Sequence, residues 1–166
     1  MDYSYLMWQV IESLLAYIAP FLVFILVIYI VGSLALYKMA AKFYYPNLWL
    51  AWIPIANTYL LFVLPVKKFK VLLFNKELER THAFWIYIGT CVGGFILSFV
   101  PLINILAVIA IIMEIVIFLY PMYHDLYELF VDESTATTYA ILSLLIPGAA
   151  LVFLLIVQGK KPRMEG

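Results

Sequence analysis

From Ser13 to Tyr37 the chain carries no charged side chain. A helix crossing a bilayer needs about 20 predominantly apolar residues, so this one run meets that length. Three more runs repeat the pattern or nearly so: Ala83–Val100 and Leu102–Tyr123, separated by Pro101 and the second carrying Glu114, and Ser134–Gly159. A fifth, Phe43–Val66, is long enough but is interrupted by Pro46, Asn47, Pro54, Asn57 and Pro65. In lipid only helices and closed barrels satisfy the backbone's polar groups. Barrel strands would alternate apolar and polar residues, which these runs do not. A chain that is 67% hydrophobic and 12% charged fits the same conclusion. The expected fold is therefore an all-α integral membrane protein, with residues 1–166 forming one polytopic domain. About four transmembrane helices are expected, with 43–66 as a Pro-broken re-entrant or interfacial segment and short amphipathic helices on the surface.

Topology follows from the basic residues, which collect on the cytoplasmic side of membrane proteins. If 43–66 spans, the loops divide Lys and Arg five against five. If it dips in and returns, Lys38, Lys42, Lys67, Lys68, Lys70, Lys76 and Arg80 share one side, against Lys160, Lys161 and Arg163. That bias favours the re-entrant reading, a cytoplasmic 38–82 region and an outside N-terminus. A bend at Pro147-Gly148 would bring the last three basic residues to the same side. With Asp2 and Glu12 where a signal peptide carries basic residues, the N-terminal run reads as a retained first helix. Lys38 and Lys42, beside Met39 and Phe43, suggest a short helix in the headgroup layer with snorkelling lysines. Phe69, Leu72, Leu73 and Leu78, interleaved with Lys68, Asn75, Lys76, Glu79 and Arg80, predict a second amphipathic helix. Lys67, Lys68 and Lys70 form a membrane-surface basic group, each drawn to an anionic leaflet by about 1 kcal/mol.

Two corners share a pattern, Ile53-Pro54-Ile55-Ala56-Asn57 and Val100-Pro101-Leu102-Ile103-Asn104. Proline removes a donor and disfavours helix at the preceding residue, while asparagine is a good N-cap. Each unit is expected to end one helix and start another. Together with Lys42, Trp49 and Tyr59, these motifs resemble an uncharacterised family of small bacterial multi-helix membrane proteins. There a Lys-Ala-Gly…Trp…Ile-Pro-x-Tyr-Asn-x-Tyr element precedes a second Pro-x-x-Asn turn, and the module is sometimes fused to signal-peptidase-like proteases. The resemblance runs roughly from Leu36 to Val157. Ala56 stands in place of the motif tyrosine, and acidic residues follow Phe130 where the family has Gly-Lys. What the resemblance implies is a bacterial inner-membrane protein with a helper role. The proteases' serine–lysine dyad has no counterpart in this chain.

Glu114 is the one acid inside the 83–123 stretch. It sits about 13 Å along the helix from Tyr123, near the middle of a core about 30 Å thick. An acid at that depth is costly and needs a partner, a cavity or an ion path. Asn57 and Asn104 are candidate intramembrane polar contacts, alongside a group from another subunit. Gly89 and Gly93 form a Gly-x-x-x-Gly that lets another backbone approach, with packing inside the chain favoured over a dimer face. Should the segment after Tyr123 be helical, His124, Glu128 and Asp132 fall on one face with Asp125 adjacent. They are weak candidates for a divalent metal, and no metal or other cofactor is assigned. The same acidic segment could pair with the Lys67–Arg80 stretch.

No nucleophile has an evident base, no phosphate loop is present, and no basic face suggests nucleic acid. Cys91 is the sole cysteine, so no internal disulfide is possible. These features point to a non-enzymatic accessory or assembly subunit of the bacterial inner membrane. Its partners would be the bilayer and another, larger integral membrane protein, or a second copy. The alternative is a small oligomeric transporter or channel with Glu114 as its proton or ion site.

Overall fold

The computed structural model describes residues 3–71, 76–99, 104–146 and 148–163. Helix α1 runs Tyr3–Lys42 without a break, passing through Pro20. At 1.5 Å per residue its 40 residues extend about 60 Å, twice a bilayer core. The short surface helix expected at Lys38–Lys42 is therefore the last turns of α1, where Met39 and Ala40 are buried. The helix ends because Tyr44 adopts a left-handed conformation (φ 53°). The amide of Tyr45 then reaches the carbonyl of Ala40 (3.1 Å) and that of Tyr44 reaches Ala41 (3.1 Å), a Schellman closure.

The chain turns back through a 3-10 segment, Leu48–Trp52, and α2, Pro54–Val63. Ile53 is extended (φ −106°, ψ 124°) as a residue before proline must be, and Pro54 takes the first helical position. The helix thus starts four residues earlier than a cap at Asn57 would allow. Asn57 lies in the first turn, donating its amide to Ile53 (2.7 Å). The second corner, Val100-Pro101-Leu102-Ile103, lies outside the described residues, as do Pro147 and the side chain of Asn104.

Phe69–Val71 and Lys76–Leu78 are strands β1 and β2, an antiparallel pair in the register Phe69↔Leu78, Lys70↔Glu77, Val71↔Lys76. This replaces the amphipathic helix expected there. Phe69 and Val71 are buried and Lys70 exposed, the two-residue alternation of a strand, and Lys70 faces Glu77 across the ladder.

Helix α3, Arg80–Ser98, leaves the same end of the fold; α4, Asn104–Glu114, a π segment, Ile115–Leu119, and α5, Tyr120–Glu128, return to it. The π turn has a local cause. Pro121 offers no amide to the preceding turn, and the amide of Tyr120 reaches back five residues to Ile115. Helices α6, Glu133–Leu145, and α7, Ala149–Gln158, follow. The run Ser134–Gly159, expected as one span, is thus two helices of about 20 and 15 Å. The bend uses Gly148 at φ 85°, a conformation that suits only glycine. Three helical stretches are long and apolar enough to cross a membrane, instead of about four: Met7–Lys42, Arg80–Ser98 and Val108–Glu128.

Helix α7 returns along α1. A Cβ at Gly32 would lie 3.4 Å from Leu151, and Lys42 Nζ donates to the carbonyls of Gln158 and Lys160 at the helix's end. The segment 43–66 likewise leaves and comes back: Tyr29 Oη donates to the carbonyl of Trp52 (2.5 Å), while Phe62 accepts from Arg80. All ten basic residues consequently gather at one end, the outcome that the Pro147-Gly148 bend allowed.

Candidate functional site

At the basic end, Arg80 opens α3 with its side chain 6% exposed. Burying a guanidinium costs several kcal/mol unless its donors are met. Here Nη2 pairs with Asp125 (2.5 Å), Nη1 donates to the carbonyl of Phe62 (3.1 Å) and Nε to that of Lys67, while the ring of Phe69 lies 5.8 Å below. Lys67 pairs with Glu128 at 3.2 Å. The acidic segment and the Lys67–Arg80 stretch are thus joined by two bridges. Lys68 adds a longer pair with Glu77 (3.9 Å), and Lys67, Lys68 and Lys70 are all exposed at this end.

The metal-ligand types regroup. His124, Asp125 and Glu128 bring their donor atoms within 4.8 Å of one another, and Asp132 is not among them. It caps α6 instead, accepting from Ser134 Oγ (2.7 Å), from the amide of Thr135 (3.0 Å) and from its hydroxyl (2.9 Å). Those bonds, Ser134's foremost, hold its carboxyl well below the usual carboxylate range. Arg80 holds Asp125 Oδ2, Lys67 holds Glu128 Oε1 and His124 Nδ1 faces Asp125 Oδ1 at 3.5 Å, so basic side chains already meet both carboxylates and the trio reads as an ion-pair network.

Glu114 closes α4 where the π segment begins. Its Oε2 lies 3.7 Å from Cys91 Sγ on α3, and its Oε1 is buried without a hydrogen-bond partner among the described residues. Tyr87, one turn before Cys91, lies within electrostatic reach of Cys91, Glu114 and Tyr123. Asn57 contacts Thr58 (3.3 Å), not Glu114. The sequence offered no sign of Cys91, a neutral residue 23 positions away. Arg80 and Asp125 had a visible signal, opposite charges closing adjacent spans, but nothing marked them as buried.

Gly89 and Gly93 face open space: among the described residues, their own helix backbone apart, no atom lies within 4 Å of a Cβ built at either, and the same holds at Gly94. Among the described residues nothing packs against this face. The reason is angular. Cys91 points α3 toward α4, and residues two positions away lie about 200° around a helix of 3.6 residues per turn.

Comparison with known protein families, with curated proteins and with solved structures returned no match.

Proposed function

We propose that the chain is a multi-pass protein of a bacterial inner membrane and acts as a non-enzymatic accessory subunit on a larger membrane protein. The observation that carries this is α1. From Met7 to Ile28 it has no buried residue, and it bears Leu14, Phe21 and Phe24 at 53%, 63% and 61% exposure. Its apolar surface along this stretch stays open to whatever surrounds the protein. The bare Gly89–Gly93 strip is a second surface where another helix backbone fits closely. In this reading three helices span, 43–66 and α6–α7 are re-entrant hairpins, and the ten basic residues lie in the cytoplasm. The resemblance to the family fused with signal-peptidase-like proteases supports a helper role.

A photo-crosslinker at Phe21 or Phe24 in native membranes is expected to capture a larger membrane protein, which also co-purifies in mild detergent. A lone monomer with lipid adducts only would remove the proposal.

Glu114 favours a second reading, a small oligomeric transporter or channel, because its Oε1 is buried and has no hydrogen-bond partner among the described residues. In liposomes, proton or cation flux that falls on Glu114→Gln supports that reading; equal flux takes Glu114 out of any mechanism.

A further inference from the structure

Where the ends of α1, α2, α5 and the chain's tail converge lies a cleft of about 510 Å³. Lys42, Lys67, Asp125, Glu128 and Arg163 line it. Its charges are not balanced. Asp125 is matched by Arg80 at 2.5 Å and Glu128 by Lys67 at 3.2 Å. Lys42 and Arg163 have no carboxylate partner among the described residues. Main-chain carbonyls hold them in place: Lys42 at Gln158 and Lys160, Arg163 at Val131 (3.0 Å). Two fixed cations thus border one cavity without a carboxylate paired to either among the described residues.

The rest of the wall is apolar, from Phe43, Val66 and Leu129, and Tyr44 stands at the cleft 88% exposed, carried there by its left-handed backbone. A small polyanion would leave that wall unused. An amphiphile with a phosphate head fits both halves, since arginine recognises phosphate through paired donors and lysine as a point charge. We propose that this cleft binds the phosphate headgroup of an anionic phospholipid, with Lys42 and Arg163 as its cationic contacts. A choline-bearing headgroup would set its own cation against these two, so net-anionic lipid is preferred.

The test uses the full chain purified in detergent, with lipid retention read by native mass spectrometry and by thermal shift. Phosphatidylglycerol is expected to bind and raise Tm, and phosphatidylcholine to do neither. Arg163→Gln should weaken phosphatidylglycerol binding about tenfold, the effect of one charge-assisted contact, with Lys76→Gln, outside the cleft, unchanged. Lys42→Gln should act in the same direction. Because Lys42 also caps α7, Arg163→Gln decides if Lys42→Gln loosens the fold. Equal retention of both lipids, or undiminished phosphatidylglycerol binding by Arg163→Gln, would overturn the proposal. Inorganic phosphate that raises Tm as much as the lipid overturns the lipid assignment in favour of a free-phosphate site.

Discussion

Replacing Arg80 with methionine is expected to destabilise the protein by about 3–5 kcal/mol, the usual result of stripping one partner from a buried ion pair. Asp125, its side chain 19% exposed, would keep its charge and lose the guanidinium 2.5 Å away. The carbonyls of Phe62 and Lys67 would lose their donors at the same stroke. Unfolding in mixed micelles, followed by denaturant or temperature, measures the loss. The double variant Arg80→Met/Asp125→Leu should recover much of it, because an apolar pair of similar volume removes the stranded charge. Were the double variant as unstable as Arg80→Met alone, the damage would lie in the two carbonyls and not in Asp125. Asp125→Asn should fall between, since it keeps an acceptor for Nη2 and leaves Arg80 without its counter-charge.

How far the sequence reveals this arrangement depends on the range of the interaction concerned. Uncharged runs such as 13–37 announce helices of membrane length because solvation by lipid is a local property of composition. Lys38 misleads for the same reason. It looks like the end of the span, yet α1 continues through it to Lys42. The strand pair at 69–78 depends on cross-strand partners, Lys70 with Glu77 and Phe69 with Leu78, while a short stretch of mixed residues suits either periodicity. The hairpin of α6 and α7 hangs on Gly148, whose φ of 85° no count of apolar residues exposes. Glu114 was conspicuous through isolation alone, and its neighbour Cys91 came into view only once α3 and α4 were packed. Asp132 shared a helical face with His124 and Glu128 on paper. The chain breaks between α5 and α6, and Asp132 becomes the cap of the next helix.

Tyr127→Ala is expected to cost about 3–5 kcal/mol, the range for emptying a buried aromatic site. Its ring is fully buried and is where α5, α6 and α7 meet. It stacks on Tyr123 with centroids 5.9 Å apart and meets Tyr139 and Phe153 edge-on at 5.8 and 6.2 Å, while those two stack on each other at 4.2 Å. Inside a membrane such contacts hold helices together by packing, since lipid tails are as apolar as the side chains they replace. The hydroxyl, 2.9 Å from Ser143 Oγ, is the lesser part: Tyr127→Phe should cost about 1 kcal/mol, one hydrogen bond. Amide exchange separates packing loss from general unfolding. In Tyr127→Ala, α6 and α7 should lose protection while α3 and α4, from which no described ring meets Tyr127, keep theirs. Because α7 ends at the carbonyls that hold Lys42, the same variant should also weaken phosphatidylglycerol retention. Loss of protection throughout the chain would instead mean that α6 and α7 unfold only together with the rest of the protein.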